Sequence, residues 1–254
     1  MAFPKSVLVI GAHIGDADVM AGALAAHLVR ADTKVTFIHA TDGEKGKPGV
    51  DPNVYRQQKV LEAKKSAAVL GVDVKFLGYE DGSLVASYEA SKQLAYIIRE
   101  LKPDWVITHW LGSVHQDHAA THYLTMNAVQ YAGSGELKGE PLMVSDVYFA
   151  ENLEDPYFFN PSFFVDVSDS YKTYVEALKV HEYVTQGAYG INFFDYYTSL
   201  LASRGASVGV KFAVGLATKP KTEMLKPRIF KPHVARARLG IDYYPLKVEH
   251  ANKI

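Results

Sequence analysis

Short apolar runs alternate with longer amphipathic stretches along the first half of the chain. Residues 6–10 (Ser-Val-Leu-Val-Ile) are nearly uniformly apolar and predict a strand buried on both faces. Residues 18–31 place Met20, Leu24, Leu28 and Val29 on one side of a helix. Residues 34–40 predict a second strand, and 53–70 a second helix closed by Gly71. A third strand at 72–77 and a third helix at 88–101 follow, and Pro103 blocks further helix. Residues 105–108 then predict a fourth strand and 115–131 a fourth helix. Strands alternating with helices at these lengths predict right-handed βαβ units around a mostly parallel sheet.

The rhythm changes after Gly133. Residues 143–150 and 163–167 predict further strands, and 169–186 one long helix capped by Ser168. Residues 196–203 and 210–217 predict shorter helices. The tail, 219–254, carries several prolines and many basic residues and reads as a C-terminal extension that wraps the core or meets another subunit. No internal repeat, low-complexity tract or interdomain linker interrupts the pattern. The expected architecture is α/β: a Rossmann-like three-layer sandwich, a single domain over 1–254 with 219–254 as its extension.

Composition narrows the function. Of 254 residues, 48% are apolar and 22% charged, which excludes a disordered or fibrous chain. The 27 basic and 28 acidic residues nearly cancel, so charge gives no case for nucleic acid or an anionic membrane as the main partner. Cysteine is absent, which excludes disulfide frameworks, thiolate metal sites and a cysteine nucleophile. No run approaches the roughly 18–20 apolar residues of a membrane span. The opening Met-Ala-Phe-Pro-Lys lacks the apolar core of a secretory signal, so a cytoplasmic location is expected.

In an open parallel sheet, functional groups gather at the carboxyl ends of the strands. Here the four strands end in Gly11-Ala12-His13-Ile14-Gly15-Asp16-Ala17-Asp18, in Thr41-Asp42-Gly43-Glu44-Lys45-Gly46, in Gly78-Tyr79-Glu80-Asp81-Gly82, and in His109 followed by His115-Gln116-Asp117-His118. A His-x-x-His at a helix start is weak on its own, and an acidic residue beside His13 fits a helix N-terminus equally well. Their joint placement after the first and fourth strands points to a metal site of two histidines and a carboxylate with open coordination positions. Asp117 is placed to hydrogen-bond an imidazole and fix its tautomer. His122 shares a helix face with His115 and His118, so spacing does not decide which of the three are ligands. His181 lies in a long helical pattern, where packing is the commoner role. The glycines of the first turn do not form Gly-x-Gly-x-x-Gly, and a dinucleotide site is not expected.

These motifs resemble the PIG-L/LmbE-like deacetylases (GlcNAc-PI de-N-acetylase-like), metal-dependent enzymes that remove N-acetyl groups from glucosamine-containing substrates. The family's Ala-His-Pro-Asp-Asp-x-Glu stands here as Ala12-His13-Ile14-Gly15-Asp16-Ala17-Asp18. Its His-Pro-Asp-His stands as His115-Gln116-Asp117-His118, and its Thr-x-Gly-Glu-x-Gly as Thr41 to Gly46. Lys102-Pro103-Asp104, Asp166 and the stretch 181–186 add to the likeness, which covers roughly 5–217 and is strongest in the first 125 residues. The resemblance implies that His13, Asp16 and His118 hold Zn2+ (or, alternatively, Fe2+ or another divalent ion). It implies that His115 stabilises the oxyanion or protonates the leaving amine, with Asp117 orienting it. It implies that Arg56 and Asp81 touch the sugar.

One departure affects the chemistry. The family's general base is the first aspartate of its Asp-Asp pair, and that position is Gly15 here. Asp18, at the later glutamate position, is one substitute; Asp42, Glu44 and Asp117 are others. Loss of a general base costs about 10²–10⁴ in rate. The expected function is a zinc-dependent deacetylase acting on an N-acetylglucosamine-type substrate, forming a homo-oligomer as relatives do. Two alternatives stand beside it. One is a catalytically impaired member that binds a sugar or a partner. The other is an amidase for a non-sugar amide, with a groove lined from the aromatic stretches 148–164 and 189–197.

Overall fold

The computed structural model describes residues 3–218. The described residues belong to one compact unit, and the extension expected at 219–254 lies outside them. The element order is β1 (Ser6–Gly11), α1 (Asp16–Arg30), β2 (Lys34–Thr41), α2 (Pro52–Leu70), β3 (Asp73–Tyr79), α3 (Tyr88–Leu101), β4 (Trp105–His109), α4 (Gln116–Gly133), β5 (Asp146–Ala150), β6 (Phe163–Asp166), α5 (Tyr171–Leu178), α6 (Glu182–Gln186), α7 (Phe193–Val208) and β7 (Ala213–Thr218).

The seven strands form one sheet in the order β3-β2-β1-β4-β5-β7-β6. Neighbours from β3 to β5 pair in parallel, and β7 runs antiparallel to both β5 and β6. This is the expected three-layer α/β arrangement. Strand β1 shows why its run is apolar throughout. Val7 and Val9 pack into the core under α1, α5 and α7, whereas Leu8 and Ile10 pack into the core under α3 and α4. Burial on both faces leaves no polar position in the run, and each such side chain contributes roughly 1.5–3 kcal/mol.

The strand order reverses at β1. The chain moves outward from β1 through β2 to β3, then returns to add β4 on the other side. The loops leaving β1 and β4 therefore diverge, and a crevice opens between them at the carboxyl edge. Those two loops carry both histidine motifs.

Two expectations from the second half are corrected. The helix expected over 169–186 is two helices, α5 and α6. The chain breaks between them, and His181, at φ −86° and ψ 115°, precedes α6. The break lets the His181 ring reach buried carboxylates of α1 and α2, an interaction that helical periodicity does not report. Ser168 does not cap α5; its hydroxyl donates to Asp166 and accepts from the Phe212 N–H. The helix expected over 210–217 is strand β7, inserted between β5 and β6. A short apolar run cannot be assigned to helix or strand by periodicity alone, and here pairing with two neighbouring strands decides it. The helix expected over 196–203 is longer, α7, and ends at Gly209 with φ 79°.

Candidate active site

The loops after the first five strands converge on one cleft of about 400 Å³. From the β1–α1 turn come His13 and Asp16. The His13 backbone N–H donates to Asp16 Oδ2 at 2.7 Å, and His13 Nδ1 lies 3.2 Å from the same oxygen. Gly15 makes this turn possible: it sits at φ +109°, a conformation that L side chains rarely adopt. Asp16 then opens α1, where a negative charge meets the positive end of the helix dipole.

From α4 comes His118, fully buried. Its Nδ1 bonds Asp155 Oδ1 at 2.9 Å, which leaves Nε2 as the free ring nitrogen. That nitrogen is buried with no hydrogen-bond partner, 3.5 Å from Asp16 Oδ2. Burial, and after it the neighbouring His109, pushes the His118 imidazole down to about 4, so it is neutral at pH 7. A buried lone pair aimed at a carboxylate is unfavourable unless a cation lies between them. The separations agree with that. Bonds of about 2.0–2.1 Å to a tetrahedral ion put ligand atoms roughly 3.3 Å apart. The observed edges from Asp16 Oδ2 are 3.2 Å to His13 Nδ1 and 3.5 Å to His118 Nε2. The donor set is that of a borderline cation such as zinc or ferrous iron. Overlapping groups, His13–His115–His118 and Asp16–His109–His118, bring their ligand atoms within 4.8 Å of one another.

Carboxylates hold the ligands in place. His13 Nε2 faces Asp81 and Asp117, each at 3.3 Å. Burial opposes charge on His13, but Asp117, Asp16 and Asp81 overcome it and raise its pKa well above 6.5. Burial likewise works against the Asp16 carboxylate, yet the His118, His109 and His13 imidazoles hold it well below its usual range. Asp155 bonds two histidines at once, His118 and His109. His109 Nε2 accepts the Ala12 N–H, so the β4 end is tied to the β1 turn.

His115 precedes α4 and lines the cleft. Its Nδ1 accepts the Asp117 backbone N–H at 3.2 Å, so the proton sits on Nε2. Burial and the His13 charge lower its pKa, which keeps the ring neutral and able to donate. The Asp117 carboxylate points elsewhere than the resemblance implied. It accepts N–H bonds from Gly82 and Leu84 and faces His13, so it orients a ligand histidine and staples the β3–α3 loop.

Other expectations also change. Asp18 does not reach the cleft. It is 2% exposed, accepts from Ser66 and lies 3.2 Å from His181, which corrects its assignment as a catalytic carboxylate. The helix turns its side chain to the inner face, two positions from Asp16. Arg56 does not line the cleft either; its guanidinium pairs with Asp42 at 3.2 Å and Glu44 at 3.3 Å. Asp81 does line it, between the Lys45 N–H and His13. His122, which spacing left open, bonds the His109 carbonyl and packs on Phe149 outside the ligand groups. Of the aromatic stretches, Tyr189, Phe193 and Tyr197 line the cleft, whereas Tyr148 and Phe163 stack on each other and meet Trp105 edge-on in the sheet.

Reading the sequence missed four cleft or support residues: Glu154, Asp155, Lys59 and Tyr183. Two had a usable signal. Glu154 and Asp155 follow β5, so the strand-end rule applied to the first four strands extends to the fifth. Burial and the nearby Asp16 charge push the Glu154 carboxyl up. Lys59 and Tyr183 had none, because their positions depend on how α2 and α6 pack.

Residues 8–129 match the family model described as GlcNAc-PI de-N-acetylase, PIG-L. Over this segment the chain is similar to the PIG-L/LmbE-like family. It is 28% identical over 185 residues to the diacetylchitobiose deacetylase of Thermococcus kodakarensis, covering 70% of this chain and 69% of that protein. It is 24% identical over 243 residues to the 4-oxalmesaconate hydratase of Pseudomonas putida, covering 89% and 91%. A conserved protein of Thermus thermophilus superposes with a TM-score of 0.75 at 25% identity, covering 89% of this chain and 97% of that one. Among the described residues, no helix is long and apolar enough to cross a membrane.

Proposed function

We propose that this protein is a zinc-dependent deacetylase that hydrolyses the acetamido group of an N-acetylglucosamine-type substrate. The observation that carries the reading is the buried, neutral His118 Nε2 facing Asp16, which lines the cleft together with His13 and His115. His13, Asp16 and His118 would hold the ion, which polarises a carbonyl and acidifies water when bound. His115 Nε2–H donates to the carbonyl oxygen as negative charge develops on it. Asp155 and Asp117 keep the two ligand imidazoles in the tautomers they need. Tyr189, Phe193 and Tyr197 offer flat apolar faces to a pyranose ring, and Asp81 a carboxylate to its hydroxyls. The test loads the protein with zinc and measures acetate released from diacetylchitobiose and simple N-acetylglucosamine derivatives. Turnover that disappears in His118→Ala is expected. A zinc-loaded protein that releases no acetate across the panel overturns the reading.

A second reading is favoured by Lys59. The residue is 4% exposed and its side chain lines the cleft, a setting that suits a substrate carboxylate. Together with the hydratase among the relatives, it supports addition of water to an unsaturated carboxylic acid. Loss of the ultraviolet absorbance of a conjugated diacid, with no acetate released, would identify that activity.

A further inference from the structure

Tyr183 occupies the space beside Gly15, and a carboxylate from the segment after β5 approaches His118. A Cβ placed on Gly15 would lie 2.5 Å from the Tyr183 hydroxyl oxygen and 2.7 Å from its ring. The ring cannot step aside freely. Lys59 Nζ sits 4.2 Å from its centroid, and Phe193 packs edge-on against it at 5.5 Å. With φ at +109° as well, a side chain at position 15 would be strained and would have to displace the Tyr183 ring. Among the described residues, three carboxylates line the cleft: Asp16, Asp81 and Glu154. Asp16 belongs to the donor set. Asp81 accepts the Lys45 N–H and faces His13. Glu154 Oε2 lies 3.6 Å from His118 Nε2, too long for a hydrogen bond, and its carboxylate accepts none from the described residues.

The backbone that presents Glu154 is anchored. Its N–H donates to Asn152 Oδ1, and its carbonyl accepts from the Val114 N–H and the Ser113 hydroxyl. The next residue, Asp155, clamps His109 and His118. The side chain keeps 42% of its surface accessible, so a water can reach it.

We propose that Glu154, on the segment after β5, is the general base of this enzyme in place of the carboxylate that Gly15 lacks. A water O–H bond breaks, its proton passes to the Glu154 carboxylate, and its oxygen bonds the acetyl carbonyl carbon. The C–N bond then breaks as the nitrogen takes that proton from Glu154, leaving the free amine and acetic acid. The identity of the amide rests on the deacetylase reading; the position of the base does not.

The test compares wild type, Glu154→Gln, Glu154→Asp and His118→Ala on two probes, diacetylchitobiose and the activated ester 4-nitrophenyl acetate. Zinc affinity is measured in parallel by chelator competition. Glu154→Gln is expected to keep zinc affinity within about threefold and to lower kcat on both probes by about 10²-fold or more, with KM little changed. Glu154→Asp, which keeps the carboxylate, is expected to fall between the two. Activity of Glu154→Gln within threefold of wild type overturns the proposal. So does a tenfold loss of zinc affinity, which makes Glu154 a ligand. Ester hydrolysis that depends on Glu154, with no acetate from the sugar, upholds the base and overturns the sugar substrate. A zinc-loaded wild type inert to both probes overturns both.

Discussion

The molecule holds two buried histidine–carboxylate clusters, back to back across the start of α1. Asp16 faces the cleft with His13, His109 and His118. Asp18, two residues on, faces inward to His181, which also approaches Glu62 of α2 at 3.7 Å. The residue types are the same, and the outcomes differ. In the inner cluster every charge has an opposite charge beside it, with Lys59 at 3.8 Å completing the set around Glu62. In the cleft cluster the neutral His118 imidazole presents a buried Nε2 to the Asp16 carboxylate, with no hydrogen-bond partner. The clusters differ in what surrounds the ring: His181 lies between the carboxylates of Asp18 and Glu62, which raise its pKa, whereas burial and His109 keep His118 neutral beside the Asp16 carboxylate that lines the cleft.

The sharpest way to break this comparison is to remove one histidine from each cluster. His118→Ala should reduce zinc affinity by more than the roughly 10–100-fold that a supporting residue is worth. Turnover should vanish with it, as read by metal analysis and acetate release. His181→Gln should leave zinc stoichiometry intact yet lower stability by about 3 kcal/mol in urea unfolding, because Asp18 would stay buried without its partner. If His181→Gln instead strips the metal, the two clusters are one site.

Asp155→Asn is a smaller perturbation of the cleft cluster alone. It replaces one of the two carboxylate oxygens that accept from His118 and His109 with a donor NH2, so the two tautomers are no longer both fixed. About a 10–100-fold loss of zinc affinity is expected, with little change in unfolded fraction at room temperature.

The smallest expected effect is a pH dependence confined to the inner cluster. Burial opposes charge on His181, and the Asp18 carboxylate overcomes it, so its folded pKa is raised above 6.5. Glu62 faces the ring and reinforces the shift, while the Lys59 charge reduces it. A raised folded pKa means that the stabilisation is fully present below the unfolded value. It fades as pH rises from 6.5 through the folded value. The stability gap between wild type and His181→Gln should therefore narrow between pH 6 and pH 9. A gap that widens over that range would assign the neutral ring to the folded state.

The same comparison shows how much was legible beforehand. His13, Asp16, His115 and His118 could be picked out because each sits just past a strand, and the strand-end rule needs only local sequence. Asp18 could not be told apart from Asp16, since both lie in the first turn of one helix and only packing decides which faces the cleft. Arg56 was assigned by resemblance, and its pairing with Asp42 and Glu44 appears only when the β2–α2 loop is folded.

By itself, then, the sequence determined the alternation of strands and helices and the parallel sheet that follows from it. It also determined the order of the motif-bearing loops along one edge. Those properties rest on periodicity and on neighbours a few residues apart. Tertiary structure alone decided that 210–217 joins the sheet as β7, that Tyr183 fills the space beside Gly15, and that Glu154 and Asp155 close around His118. Each of these is a contact between distant segments, settled by which surfaces bury together; the strand-end rule marks the segment after β5 but not which ring its carboxylates meet.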